Sequence, residues 1–356
     1  MQTYNYLSNE MPRELIEVYN DMQQDLLRIV VKRLKQGESP DKVFQEIQDK
    51  VASYDSKTQR VLEVIFADSK KKNVKDNERV FKEEPDENKN AVTNNEANSL
   101  IAPAIIGAMA VLSQLNKKII NNTMRRYTSD YMYIKSPYGD GLTKLKQTYK
   151  GLAKTGITIL ESFRGGKEKN YAIENILRRD VMFRVNQANA KVNKENFNKS
   201  SAKFIEVSSH PTARTWNKYM TQPYEDHSSW QGKVYYSRDG EAVAGYEEFE
   251  STCGYGELLG ICGINCYHQF QMNYTGDSSA TEYSQKEVEK NYALSQEQRR
   301  LERMLRQAKQ QQAVFEEAGD QNLLKQAKQN VNILRGQLKD FCERHNLKYY
   351  NWRTQI

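Results

Sequence analysis

Cysteine, proline and long apolar runs are all scarce in this chain of 356 residues. It contains four cysteines and seven prolines, and hydrophobic residues make up 38% of the sequence. So few cysteines in a long chain do not form the disulfide framework of a small secreted protein, and they favour a reduced compartment or a metal site. The low apolar share argues against one large globule and favours long polar helices or partner-dependent segments.

The sequence pattern also predicts no segment that would direct the chain to a membrane. The first residues, MQTYNY, contain no basic stretch followed by an apolar one, which predicts no secretory signal. The most apolar stretch, residues 101–112, is shorter than the roughly 20 residues of a membrane span and contains Pro103. We therefore expect a buried helix there, with a fusion peptide as the alternative, and no membrane among the partners.

Positive charge is concentrated in the middle of the chain. The whole sequence has a net charge of +7, but residues 117–199 alone hold 18 Lys and Arg against seven Asp and Glu. This asymmetry indicates contact with nucleic acid or an acidic protein surface, and a solvated helix face is the alternative. The candidate nucleic-acid contacts are Lys117, Lys118, Arg125, Arg126, Arg178, Arg179, Arg184 and Lys191.

Hydrophobic periodicity divides the first 200 residues into three predicted sections. Residues 1–68 show apolar side chains at helical spacing, with Gly37 ending one helix and Pro40 starting the next. Residues 69–98 have few apolar side chains and predict a polar linker. Residues 99–200 predict a basic helical region, interrupted at 137–141 and 165–166.

The remaining residues predict a change of structure. Short β-branched and aromatic runs with frequent glycines predict a small β module over residues 201–288. Residues 289–356 carry two apolar stripes separated by Gly319, which predicts a C-terminal antiparallel αα-hairpin. The predicted fold class is α+β, a mostly helical chain with a small glycine-rich β module and this hairpin.

The predicted β module also holds most of the side chains that could bind a metal. Three of the four cysteines and three of the four histidines lie there. Thiolate and imidazole are preferred zinc ligands, and four of them would close a tetrahedral structural site. No other cofactor is expected, and small buried residues in a glycine-rich core are the alternative, because C-x3-C-x-H is not a standard finger spacing. The candidate ligands are Cys262, Cys266, His268 and His227, with His210 and Cys253 as other fourth ligands.

Two patterns could support catalysis, and both are weak. Cys266 could pair with a histidine as nucleophile and base, but nothing in the local sequence activates the thiol. Glu248 and Glu250 form a Glu-x-Glu pair of the type used by mono-ADP-ribosyl transferases, and a glutamate-rich strand edge explains them equally well. Phosphate-binding loops and HExxH motifs are absent from the sequence. We therefore expect no enzyme, with an enzymatic effector, either a zinc-dependent hydrolase or an ADP-ribosyltransferase, as the alternative.

Three blocks stand out in the predicted β module, namely IEVSSHPTAR (205–214), DHSSWQGKVY (226–235), and GYG (254–256) followed by GICGINCYH (260–268). In this order they resemble the phage minor capsid protein family of the minor capsid protein 2 type. This family is related to the Mu-like head-morphogenesis proteins. The similarity covers most of the chain from about residue 142, is weaker for the N-terminal helices and is absent from 69–98. Tyr267 stands where an arginine is usual, and residues 215–225 form an insertion that implies a longer loop.

The resemblance implies a structural virion component that assists capsid assembly in the host bacterial cytoplasm. Such a protein lies inside the head near the portal vertex, and its implied partners are the portal protein, the major capsid or scaffold protein and double-stranded DNA. The basic section would face packaged DNA, and the N-terminal helices would dock on portal or coat subunits. A DNA-binding protein outside any virion is a second alternative.

Overall fold

The computed structural model describes residues 11–162, 168–238 and 240–356. The chain is 67% helical and has a few small antiparallel sheets, which confirms the α+β class. Its contacts divide it into two compact units. Unit 1 includes residues 61–111 and 177–295, and unit 2 includes residues 13–60, 112–176 and 296–356.

The helices and strands are numbered here in chain order. The helices of the first 200 residues are α1 (Met11–Gln36), α2 (Pro40–Ala52), α3 (Asp55–Phe81), α4 (Asn94–Lys135), α5 (Gly141–Thr155) and α6 (Ile173–Lys199). The later helices are α7 (His227–Trp230), α8 (Phe249–Cys253), α9 (Gln285–Ala318) and α10 (Gln321–Arg344). The strands are β1 (Thr158–Ser162), β2 (Glu168–Ala172), β3 (Phe204–Val207), β4 (Val234–Tyr236) and β5 (Phe270–Asn273).

The N-terminal helices begin and end where local sequence signals place them. Gly37 follows α1 with φ of 67°, a left-handed conformation that glycine adopts without steric cost. Pro40 occupies the first turn of α2, where its missing N–H leaves no helical hydrogen bond unmade. In unit 2 the buried Tyr127 of α4 donates a hydrogen bond of 2.7 Å to the carbonyl of Glu38. This bond holds the α1–α2 connection against α4.

Helix α4 extends well beyond the short apolar stretch that the sequence singles out. Residues 101–112 lie inside this 42-residue helix, and Pro103 does not interrupt it. By length and composition alone α4 could cross a membrane, and 22% of its most apolar window is buried. Contrary to the expected buried helix, only a minority of that window is fully buried, and α4 as a whole is longer than the roughly 20 residues of a membrane span.

Residues 158–172 differ from the predicted helical region. They contain the antiparallel pair β1–β2, in which Thr158 pairs with Ala172 and Ile159 with Tyr171. The predicted break at residues 165–166 lies outside the described residues, whereas the break at 137–141 separates α4 from α5. Ile159 is fully buried, so this short pair packs its apolar residue inside unit 2.

Residues 69–81 also differ from the sequence prediction, because they continue helix α3 rather than starting a polar linker. Their polar side chains face a matching set on α6, and together these form what we call the asparagine ladder. The Oδ1 atom of Asn193 accepts hydrogen bonds of 2.8 Å from both Asn73 and Asn77. Buried amides of this kind are stable only when paired. The ladder consists of Ser69, Asn73, Asn77, Asn186, Asn189, Asn193 and Asn196.

The asparagine ladder ties α6 to the three-stranded antiparallel sheet of unit 1, whose strand order is β4-β3-β5. Asn193 donates to the carbonyl of Phe270 at 2.8 Å, and Asn186 donates to the carbonyl of Cys266 at 2.5 Å. In the sheet, Ile205 of β3 pairs with Tyr235 of β4 and with Met272 of β5. The helix therefore meets the sheet through amide-to-backbone bonds as well as apolar contacts.

Helices α9 and α10 follow each other at the C-terminal end, with Gly319 and Asp320 between them. Asp320 caps α10 by accepting a hydrogen bond from the N–H of Leu323. Gln298 of α9 lies within 3.5 Å of the Cys342 sulfur of α10. The pairing of the two apolar stripes into a hairpin stays a prediction, as does the division into five sections.

Candidate functional site

The three sequence blocks meet in the core of unit 1. Their rings pack on one another. The distances between ring centroids are 4.2 Å for His210–His268, 4.7 Å for His227–Trp230 and 4.8 Å for Trp230–His268. All of these side chains are buried. We define the motif cluster as His210, His227, Trp230, Cys266 and His268.

Local structure explains how the second block enters the motif cluster. Asp226 caps the four-residue helix α7 by accepting from the N–H of Ser228, which sets the position of His227 in the first turn. The indole N–H of Trp230 donates to the carbonyl of Tyr224 at 2.9 Å. The end of the inserted segment 215–225 therefore holds the tryptophan in place, while Trp216, earlier in the insertion, is exposed.

Polar side chains bind the blocks together around the rings. The Gln231 Oε1 atom accepts from the backbone N–H of His210 at 2.9 Å and from His268 Nε2 at 3.1 Å. His227 Nε2 donates to the carbonyl of Leu259 at 2.8 Å. Arg214 donates to the same carbonyl at 3.2 Å and to the carbonyl of Ile264 at 2.7 Å, and it therefore joins the first block to the third.

Burial sets the protonation of the motif cluster. It lowers the pKa of His227 to about 3, with a further contribution from the Arg214 charge, and it holds the pKa of His268 well below its ordinary value. Burial also raises the pKa of the Cys266 thiol to about 11. The imidazoles are therefore neutral and the thiol protonated near pH 7, which is the opposite of an activated cysteine nucleophile.

Three of the four predicted zinc ligands come together in the structure. One ligand atom each of His227, Cys266 and His268 lies within 4.8 Å of the other two. Cys262 lies beside the group, and its thiol donates to the carbonyl of His268 at 3.5 Å. His210, a predicted alternative, stacks on His268. Zinc binding itself stays a prediction.

The Glu-x-Glu pair has structural partners for both carboxylates. Glu248 caps α8 by accepting from the N–H of Ser251 at 3.1 Å. Glu250 forms an ion pair of 2.7 Å with Lys194 of α6 and accepts from the Ser237 hydroxyl at 3.0 Å. This pair links α6 to α8, so local helix capping and an ion pair account for both glutamates.

The Glu250 ion pair predicts a loss of stability in acid. Burial raises the pKa of Glu250, but hydrogen bonds from Lys194 and from the Arg238 N–H outweigh it and lower the pKa from 4.5 to about 2. Because the folded-state pKa is depressed, the contribution of the pair is fully present above pH 4.5 and is lost as the pH falls towards 2. Urea unfolding between pH 7 and pH 2 should show this loss in the wild type and a smaller one in Glu250→Gln. An equal loss in both would contradict the assignment.

The eight candidate nucleic-acid residues differ in their surroundings. Arg126 and Arg179 each pair with a neighbouring aspartate at 2.6 Å, and Arg184 packs its guanidinium against a glycine of α4. Arg178 is half-buried. The four exposed candidates are Lys117, Lys118 and Arg125 in unit 2 and Lys191 in unit 1.

Comparison with known families identifies the chain. A model of phage minor capsid protein 2 matches residues 4–343. The chain belongs to this family. The match confirms the resemblance and extends it across the N-terminal helices and residues 69–98, where the sequence blocks showed little or none. No curated protein and no solved structure matches the chain.

Membership makes this minor capsid protein a structural virion component that associates with other virion components. Sequence reasoning missed the side chains that hold the motif cluster in place. Gln231 and Arg214 lie inside the recognised blocks, but only the fold brings near the backbone groups and the His268 imidazole to which they bond. The asparagine ladder had a readable signal, because its α6 members recur at intervals of three and four residues.

Proposed function

We propose that this minor capsid protein is a non-catalytic part of the phage head that associates with the portal vertex and contacts packaged DNA. Family membership is the observation that carries the proposal. The burial of the thiols and the structural partners of Glu248 and Glu250 support a role without turnover. The major capsid or scaffold protein is the second partner in this proposal, and assembly takes place in the host cytoplasm.

An ordered apolar tip between α4 and α5 supports docking on the portal protein. Asp140 caps α5 by accepting from the N–H of Thr143 at 2.7 Å, and Lys144 donates to the carbonyl of Ser136 at 2.6 Å. These bonds hold a connection that presents large apolar side chains to solvent, and such patches are typical of protein interfaces. The α4–α5 tip consists of Met132, Tyr138 and Leu142, which are all strongly exposed.

Co-sedimentation with the purified portal protein tests this docking. The wild-type chain should sediment with the portal, and the triple variant Met132→Ser, Tyr138→Ser, Leu142→Ser should lose at least tenfold in affinity, because it removes the apolar contact area. Ile333→Ser is a matched control, since Ile333 is an exposed apolar residue on α10. A wild-type chain that stays in the supernatant, or a triple variant that binds normally, contradicts the proposed docking.

The exposed basic residues of α4 support DNA contact. Lys117, Lys118 and Arg125 lie on one side of the helix, as their spacing of one and eight residues dictates. Contacts between lysine or arginine and phosphate release counterions, so binding weakens as salt rises.

A salt series measures these contacts directly. Changing Lys117, Lys118 and Arg125 to glutamine should weaken binding to double-stranded DNA and reduce the slope of log K against log salt by roughly 0.9 per lost phosphate contact. The control carries the same change at the exposed Lys325, Lys328 and Lys339 of α10, which removes equal charge. Equal slopes in the wild type and the α4 variant would show that these residues do not contact DNA.

A further inference from the structure

We propose that His227, Cys266 and His268 bind one zinc ion, which joins the second and third sequence blocks in the core of unit 1. The three donors come from α7 and from the turn before β5. They are one thiol and two imidazoles, a set that suits zinc and disfavours magnesium or calcium, which prefer oxygen ligands. The assignment does not rest on the proposed place in the virion.

The distances fit a tetrahedral ion. The Cys266 sulfur lies 3.6 Å from His268 Nδ1. Zinc bonds of about 2.3 Å to sulfur and about 2.0 Å to nitrogen, at tetrahedral angles, place a sulfur and a nitrogen ligand roughly 3.5 Å apart and two nitrogen ligands roughly 3.3 Å apart. All three ligand atoms lie within 4.8 Å of one another, so closing the site around an ion needs side-chain shifts of no more than roughly 1.5 Å.

The hydrogen bonds around the site fix the tautomer of both histidines, and Nδ1 of His268 faces the Cys266 sulfur. His268 Nε2 donates to Gln231 Oε1, and His227 Nε2 donates to the carbonyl of Leu259. Because an amide or carbonyl oxygen only accepts, Nε2 carries the proton in each ring and the lone pair is on Nδ1. A metal-binding histidine usually donates its other N–H to such an oxygen, which fixes its tautomer and orientation.

Burial indicates a structural rather than a catalytic ion. All three side chains are buried, and the set of described residues offers no fourth cysteine, histidine or carboxylate to the group. The fourth position falls to a small ligand such as water, an arrangement that is otherwise typical of catalytic zinc, but the burial of all three protein ligands closes this position to a substrate. Binding forms a zinc–thiolate bond and releases the Cys266 proton to solvent, so affinity falls as the pH falls. The sequence suggested Cys262 as a ligand as well. In this assignment Cys262 does not bind the ion, and its thiol instead donates a hydrogen bond to the His268 carbonyl.

Metal analysis of the full-length chain tests the assignment. The wild type, purified without chelator and dialysed, should contain about one zinc per chain, and so should Cys342→Ser, which changes a buried cysteine of α10 in unit 2. Cys266→Ser should lose the metal. Gln231→Leu keeps all three ligands but removes the hydrogen bond to His268, so we expect a 10–100-fold loss of zinc affinity in chelator competition.

Cobalt substitution gives a second readout, and its test on the wild type does not depend on how well the variants fold. A cobalt-loaded wild type should show a thiolate-to-cobalt charge-transfer band in the near ultraviolet, and Cys342→Ser should keep this band. A folded wild type that binds neither zinc nor cobalt overturns the proposal. Retention of the band in a natively folded Cys266→Ser would equally overturn it.

Discussion

Replacing Trp230 with alanine should lower the free energy of unfolding by about 3–5 kcal/mol, the usual cost of removing a large buried aromatic side chain. Trp230 is 1% exposed, and its ring contacts those of His227 and His268. Its indole N–H also satisfies the carbonyl of Tyr224, which would be left unpaired. The substitution therefore opens a cavity where the second and third sequence blocks meet.

Urea unfolding followed by far-ultraviolet circular dichroism measures this effect. Trp216→Ala is the matched control, because Trp216 is 54% exposed in the inserted segment, and it should change stability by no more than about 0.5 kcal/mol. If Trp230→Ala cost no more than the control, the motif cluster would not be a folding core of unit 1. A Trp230→Ala variant that does not fold at all would also agree with the expected loss of stability.

Removing Lys194 should produce an effect of similar size for a different reason. Its ammonium group lies 2.7 Å from Glu250 and 2.6 Å from the Ser237 hydroxyl, and little of either charged side chain is exposed. Lys194→Met keeps most of the apolar stem but leaves the Glu250 carboxylate buried without its counter-charge. Breaking a buried pair in this way typically costs about 3–5 kcal/mol.

The double variant separates this charge effect from lost packing. Lys194→Met with Glu250→Gln removes both charges, so it should recover much of the stability lost in Lys194→Met alone. Lys191→Met, on the exposed side of the same helix, should stay within about 0.5 kcal/mol of the wild type. A double variant as unstable as Lys194→Met would show that the pair itself carries little of the energy.

The parts of the fold that local chemistry determines were predictable from the sequence. Gly37 and Pro40 mark the end of α1 and the start of α2 because backbone conformation at a helix terminus depends on the residue there. The polar composition of residues 69–81 predicts a linker, because polar segments are normally exposed to solvent, but in the structure these residues continue helix α3. The partners of Asn73 and Asn77 lie more than 100 residues away on α6, where no local pattern reports them.

The candidate site shows the same division between residue type and geometry. Cys266, His227 and His268 were identified from their chemistry, because few other residue types bind zinc. Cys262 has the same chemistry but lies outside this group of three ligands. It adopts a left-handed backbone conformation with φ of 57°, which residue type does not predict. The oxygen of Leu259 that orients His227 is a main-chain atom, so residue type carries no information about it.

The central claim is that the chain is a non-catalytic structural component of the phage head. Quantitative mass spectrometry of purified, DNA-filled particles of the phage that encodes it tests this claim most directly. We expect a fixed, low number of copies per particle relative to the portal protein, in proheads and in filled heads alike. Particles that are complete and infectious but contain none of this protein would contradict it.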